Sequence, residues 1–138
     1  MSGGKLTSAV GKGILAGLAG TAAMAASNAV ETHVRGQNGR GGMMNALGTR
    51  FQNPLYWAYG AVWGSARGLF RAVGLSPPAS TAAHLAAEWG SEQLALPALA
   101  VAPPALVLPA EDKVLDAWHH LVYATTTGLA YELLAGRS

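Results

Sequence analysis

The sequence predicts an all-α integral membrane bundle of about four transmembrane helices, and three observations lead to this fold class. Hydrophobic residues make up 51% of the 138 residues and charged residues only 12%, against about 25% charged in soluble proteins. Four apolar stretches of roughly membrane length are separated by glycine- or proline-rich connections. Carboxylates and histidines recur within these stretches at helical spacing. Lipid cannot surround such groups, so they have to face other helices.

The four predicted helices form a single membrane domain over residues 1–138. They cover about residues 13–31, 54–73, 79–102 and 114–135. Much of the hydrophobicity is alanine, which leaves a soluble helical bundle as an alternative. The chain has no cysteine, which excludes disulfides, thiolate metal sites and a cysteine nucleophile. Its nine basic residues are spread along the chain and do not form the clustered surface that nucleic-acid binding needs.

The first predicted helix carries a face of bare glycine, formed by Gly13, Gly17 and Gly20. Such a face lets another helix approach closely. The same face becomes polar at Asn28 and Glu31, which makes Glu31 a candidate for a functional intramembrane carboxylate. Lysines, an apolar run and a small-residue motif make this stretch similar to a signal peptide. We interpret it as the first membrane helix.

The second predicted helix follows a glycine-rich loop over residues 32–50, which lacks any known phosphate-binding pattern. Gly60, Gly64 and Gly68 stand four residues apart, as in the small-xxx-small motifs that pack membrane helices. Interfacial anchors are predicted around this glycine face, from aromatic residues near the start and arginines near the end. They are Tyr56, Trp57, Trp63, Arg67 and Arg71.

The third and fourth predicted helices hold most of the polar groups. His84, Glu88 and Glu92 are successive i, i+4 positions and so lie along one face. Carboxylates at the bilayer centre cost roughly 3 kcal/mol each, so pairing or a polar interior is expected. On the fourth helix the same spacing predicts a polar stripe with flanking groups: Asp116, His120, Thr127 and Tyr131, beside His119, Tyr123 and Thr126.

The candidate site is therefore a polar intramembrane cluster drawn from several helices. Its members are Glu31, His84, Glu88, Glu92, Asp116, His119, His120 and Tyr123. No catalytic motif is present, so we predict no enzymatic activity. A dinuclear metal site would need paired E-x-x-H motifs, and only Asp116-x-x-His119 comes near, so no metal is predicted. No cofactor is predicted either, although His84, His119 or His120 offers an alternative as a tetrapyrrole ligand.

Four motifs of low complexity stand out: A-G-L-A-G-T-A-A-M from Ala16, A-Y-G-A-V-W-G from Ala58, W-G-S-E-Q-L-A-L-P-A-L-A-V-A-P-P from Trp89, and H-H-L-V-Y-A-T-T-T-G-L-A-Y-E-L-L from His119. With these motifs the chain resembles the YagU-like family of small, largely uncharacterised bacterial inner-membrane proteins. The resemblance implies a multi-span fold in the bacterial inner (cytoplasmic) membrane. It implies no activity.

Two functions remain open from the sequence. The first is a non-enzymatic accessory or scaffold subunit, whose glycine faces pack onto a larger membrane complex or onto copies of itself within the lipid bilayer. The alternative is a protein that uses the intramembrane His/Glu cluster, either to bind a haem- or chlorophyll-type cofactor or to conduct protons or a solute. No nucleic-acid partner is expected from either hypothesis.

Overall fold

A computed structural model describes residues 2–35, 53–100 and 107–137, and these form four α-helices without any strand. The helices are α1 (Gly3–Val34), α2 (Pro54–Ala72), α3 (Pro77–Ala98) and α4 (Ala110–Ala135). The predicted all-helical architecture with four helices is confirmed. Most of the predicted glycine-rich loop, from residue 36 to residue 50, lies outside the described residues.

Three helix ends differ most from the predicted ones. Two of them are N-terminal ends, where the structure extends the helix over charged residues that the prediction left outside. Helix α1 begins at Gly3 rather than near residue 13, and it carries Lys5 on an exposed position of the added turns. Helix α3 ends at Ala98 rather than near residue 102. Helix α4 begins at Ala110 rather than near residue 114, and its first turn contains Glu111 and Asp112 without a side-chain cap. Carboxylates there complement the positive end of the helix dipole.

Helices α1 and α2 pack through the glycine faces that the sequence singled out. Gly13, Gly17, Gly60, Gly64 and Gly68 are all buried. A Cβ atom on Gly17 would overlap the backbone of Gly60 and Gly64, and one on Gly13 would overlap that of Gly64. Only bare glycine therefore permits this helix separation. Both faces are filled within the chain, so neither is open to a partner at these positions.

Helix α4 lies against α1 on one side and against α3 on the other, and its inward face is mostly polar. Gly20 of α1 provides the space for the side chains of Tyr123 and Thr127. The buried residues of α4 are His119, His120, Tyr123, Ala124, Thr127, Gly128 and Tyr131. The polar stripe predicted along this helix therefore faces the interior of the bundle.

One described helix, α1, is long and apolar enough to cross a membrane, with a mean hydropathy of 1.4 over its most apolar window. Core helices of soluble proteins and signal sequences can have the same length and composition. The three other described helices do not reach this hydropathy. Four membrane spans are therefore not established by length and composition.

Polar and apolar side chains are distributed in an unusual way between the inside and the outside of the bundle. The largest fully buried side chains are those of Arg67, Tyr123, His84, Glu88, Thr21, Thr127 and Ser80. The exposed side chains include many large aliphatic ones, among them Leu15, Val62, Leu94, Leu129 and Leu133. The interior is thus rich in polar groups, and the outer surface presents leucine and valine.

Candidate functional site

Helices α3 and α4 bring two pairs of charged residues into contact. Glu88 and Glu92 stand one turn apart on α3, and Asp116 and His120 stand one turn apart on α4. Residues four apart share a helix face, so each pair projects into the interface between the two helices. We call Glu88, Glu92, Asp116 and His120 the carboxylate cluster.

The imidazole of His120 is the centre of this cluster. Its Nδ1 atom lies 2.8 Å from Glu88 Oε1. Its Nε2 atom lies 3.1 Å from Glu92 Oε2 and 3.6 Å from Asp116 Oδ1. Both ring nitrogens therefore face carboxylates, and three carboxylates share one imidazole.

Two further side chains fix the orientation of the carboxylates. The Tyr59 hydroxyl donates to Glu92 Oε1 at 2.7 Å, and the Trp89 indole donates from Nε1 to Asp116 Oδ2 at 2.7 Å. Each donor contacts the oxygen that does not face His120. These hydrogen bonds hold the second oxygen of each carboxylate toward the imidazole.

The cluster is buried on one side and reaches a cavity on the other. Glu88 is 2% exposed and His120 is 3% exposed. Oε2 of Glu88 has no hydrogen-bond partner among the described residues. Glu88, Glu92 and His120 line a cavity of about 430 Å³. Other residues of its wall are Tyr56, Tyr59, Tyr123 and Met24. A small ligand can therefore reach the cluster between the helices.

His119 belongs to a different group of contacts, although it is adjacent to His120 in the sequence. Its Nε2 atom lies 2.5 Å from Glu31 Oε2, and its Nδ1 atom lies 2.9 Å from Ser27 Oγ. Both partners are on α1. The single predicted cluster is thus divided into two sites on different faces of α4. Glu31 belongs to the site of His119, and Glu88 and Glu92 belong to the site of His120.

Arg35, the residue after α1, connects Glu31 of this second site to the surface of the protein. Arg35 Nη1 lies 2.9 Å from Glu31 Oε1 and 3.1 Å from Asp112 Oδ1. The hydrogen bonds with Glu31 and Asp112 raise the pKa of Arg35 above its usual value. These ion pairs join the end of α1 to the start of α4.

His84 is fully buried, but it forms no ion pair with the carboxylate cluster. Its ring lies 5.4 Å from that of Tyr123 and 6.4 Å from that of Trp63, measured between centroids. The Tyr123 hydroxyl donates to the Gly60 carbonyl oxygen at 2.6 Å. Tyr123 and His84 therefore pack beside the cluster without completing it.

The structure places Arg67 inside the bundle, whereas the sequence analysis expected an anchor at the membrane interface. Arg67 has no exposed surface, and its Nη2 atom lies 3.1 Å from Glu132 Oε1. Arg71 Nε lies 2.9 Å from the same oxygen. Interfacial anchoring predicts no intramolecular partner for either arginine, so Glu132 was not a predicted partner. The i, i+4 arginine pair required a carboxylate, and Glu132 is the acidic residue near the end of α4.

The candidate tetrapyrrole ligands differ in how their ring nitrogens are used. Both nitrogens of His119 and both nitrogens of His120 lie within 3.1 Å of side-chain oxygens. An iron or magnesium ligand needs one of these nitrogens, so a tetrapyrrole would have to displace Ser27 or a carboxylate. The ring of His84 contacts those of Trp63 and Tyr123, and its two nitrogens are buried without a hydrogen-bond partner among the described residues.

Comparisons with protein-family models, with curated proteins and with solved structures give no match. The resemblance to the YagU-like family therefore stays a prediction. The geometry of the carboxylate cluster is therefore the basis for proposing a function.

Proposed function

We propose that this chain is an integral membrane protein that binds a small cation at the carboxylate cluster, between α2, α3 and α4. The observation that carries the proposal is a charge imbalance in a buried position. Three carboxylates converge on one imidazole. The role that we propose for the cluster is binding.

The distribution of side chains supports a membrane location. Many large aliphatic side chains, most of them leucine and valine, are exposed on the outer surface, and hydrocarbon would stabilise them. The charged groups Arg67, Glu88 and His120 face inward, as intramembrane ionisable residues do.

Helix lengths are compatible with several spans. At 1.5 Å per residue, the 19 residues of α2, the 22 of α3 and the 26 of α4 extend about 28, 33 and 39 Å. The hydrocarbon core of a bilayer is about 30 Å thick. We therefore propose a multi-pass membrane protein, and the resemblance to the YagU-like family is the basis for proposing the bacterial inner membrane.

The charge balance of the cluster favours a cationic ligand. Among the described residues, His120 is the one cationic side chain that pairs with Glu88, Glu92 and Asp116. A protonated imidazole would balance one of three negative charges, and a neutral imidazole would balance none. Uncompensated charge is strongly unfavourable in a medium of low dielectric, and a cation in the adjoining cavity would supply the remaining compensation.

The accessory-subunit hypothesis is a second proposal, and the exposed apolar side chains favour it. The glycine faces fill each other within the chain, so a partner would have to contact the outer leucines and valines instead. Copurification of a stoichiometric membrane partner after mild detergent extraction would support this role.

The cation-binding proposal is tested in two stages on the full chain. Membranes from expressing cells are washed with alkaline carbonate, and the protein should remain in the pellet. The detergent-purified protein is then heated with Na⁺, Mg²⁺, Ca²⁺, Zn²⁺, Co²⁺ or tetramethylammonium, and unfolding is followed by tryptophan fluorescence. At least one cation should raise the Tm through preferential binding to the folded state.

Two variants make this experiment specific. Glu92→Gln removes one charge from the cluster and should abolish the rise in Tm. Glu111→Gln removes a charge from an exposed side chain and should leave the rise intact. Release of the protein by carbonate, or the absence of any cation-dependent rise in the wild type, would contradict the proposal.

A further inference from the structure

We infer that the cation bound at the carboxylate cluster is a divalent transition-metal ion, held by Glu88, Glu92 and His120. This inference rests on the proposed function and names the chemical class of its ligand. One oxygen from each glutamate and one ring nitrogen of His120 all lie within 4.8 Å of one another. Ligand atoms around a single metal ion are separated by distances of this order, because each metal–ligand bond is about 2.0–2.2 Å.

A buried oxygen without a partner gives a second, independent reason for a ligand. Glu88 Oε2 is inaccessible to solvent and forms no hydrogen bond with the described residues. Buried carboxylate oxygens are normally hydrogen-bonded or bound to a metal, because leaving one unsatisfied is costly. Glu88 lines the cavity, so its carboxylate lies beside the space that an ion would occupy.

The donor set indicates which cations fit. Mg²⁺ and Ca²⁺ prefer ligands that are oxygen atoms throughout. An imidazole combined with carboxylates suits Zn²⁺, Mn²⁺, Fe²⁺ or Co²⁺. An organic ammonium ion would not use an imidazole nitrogen as a ligand. His120 therefore favours a transition metal over the other cations that the charge imbalance would admit.

The surrounding hydrogen bonds match those found around bound metals. Metal-ligating carboxylates are usually held by hydrogen bonds to their second oxygen. Tyr59 donates to Glu92 in this way. Asp116 lies 3.6 Å from His120 Nε2 and is oriented by Trp89. It can accept a hydrogen bond from the imidazole or from a water molecule on the metal.

This ligand set forms no motif within one helix, because its members come from two helices. Asp116-x-x-His119 is the near match within one helix, and the structure places His119 against Glu31 on α1 instead. The metal-binding residues are Glu88-x-x-x-Glu92 on α3 together with His120 on α4. A motif search within one helix cannot detect that combination.

The test uses Co²⁺ as a spectroscopic probe on the full chain, purified in detergent and treated with a chelator. Titration should produce visible d–d absorption that saturates at one Co²⁺ per chain, and Zn²⁺ should displace it. An excess of Mg²⁺, Ca²⁺ or tetramethylammonium should not. Circular dichroism is recorded for every variant, so that loss of binding is separated from loss of fold.

The neighbouring histidines supply a matched pair of variants. His120→Gln should weaken Co²⁺ binding by more than about 100-fold, because even loss of a surrounding hydrogen bond costs about 10–100-fold. His119→Gln, one residue away, should change it less than about 3-fold, since affinity follows the ligands and their immediate partners. Glu92→Gln, with a partly exposed side chain, provides a second ligand variant if His120→Gln does not fold.

The outcomes separate this inference from the proposed function. Failure of Co²⁺ to bind, or equal loss in the two histidine variants, overturns the metal site. If tetramethylammonium or Ca²⁺ then raises the Tm of the wild type and not of Glu92→Gln, cation binding stands without a transition metal. If no cation binds, both are overturned.

Discussion

Arg67 donates a hydrogen bond to Glu132 inside the bundle, with Nη2 3.1 Å from Oε1 and no part of the arginine side chain exposed. Replacing Glu132 with glutamine should lower the free energy of unfolding by about 2–3 kcal/mol, because it leaves a buried guanidinium without a counter-charge. Breaking a fully buried pair costs about 3–5 kcal/mol, and the smaller figure reflects the 30% exposure of the Glu132 side chain. Denaturation in mixed detergent micelles, followed by tryptophan fluorescence, measures the change.

The control for this prediction is Glu111→Gln. Glu111 also pairs with an arginine, at 3.6 Å from Arg35, but its side chain is 72% exposed. Exposed pairs contribute about 0–1 kcal/mol, so this variant should be nearly neutral. Equal destabilisation by the two substitutions would show that burial of Arg67 does not govern the energetics.

The contact between the glycine faces gives a second stability prediction. Gly17→Ala should destabilise the bundle by about 1–3 kcal/mol, since its methyl group would overlap the backbone of α2 and force the helices apart. Gly11→Ala lies on the same helix, where a Cβ meets nothing within 4 Å. It should be neutral or stabilise by up to about 1 kcal/mol through helix propensity. A stable Gly17→Ala variant would be incompatible with the close packing of α1 and α2.

Helix periodicity predicted which residues share a face, but it could not predict the partner of that face. The glycines of α1 and α2 and the stripe on α4 follow from 3.6-residue spacing. The structure buries the glycines and most of the stripe, while Asp116 at its start stays partly exposed. The sequence predicts one polar cluster that contains both His119 and His120. Successive residues on a helix point about 100° apart, so one faces α1 and the other faces α3.

Because helix periodicity does not identify the partner of a face, the sequence did not predict the burial of Arg67 or the composition of the carboxylate cluster. Whether Arg67 lies at an interface or inside depends on where Glu132 comes to rest, at a separation of 65 residues. The carboxylate cluster similarly requires α3 and α4 to pack side by side, with Glu88 and Glu92 at the same level as His120. These are tertiary relationships, and spacing within one helix contains no information about them.

Removing the hydroxyl that orients Glu92 should weaken metal binding without removing a ligand. Tyr59→Phe deletes the donor to Glu92 Oε1, so we expect Co²⁺ affinity to fall by about 10–100-fold, measured by the same optical titration. Tyr131→Phe is the control, because Tyr131 is buried beside Arg67 and apart from the cluster. Loss of affinity in both variants would indicate a general effect on folding rather than an effect on Glu92.

The membrane location predicts which surface positions contact lipid. The chain has no cysteine, so single cysteines introduced at Val62, Leu121 or Glu111 can each carry one spin label. Val62 is 67% exposed and Leu121 is 42% exposed, both on middle turns of their helices. In liposomes, labels at these two positions should collide more often with oxygen, which concentrates in hydrocarbon, than with a water-soluble nickel chelate. The label at Glu111, in the first turn of α4, should show the reverse preference. Collision with the nickel chelate at all three positions would mean that water surrounds the bundle, and the charged interior would then belong to a soluble protein.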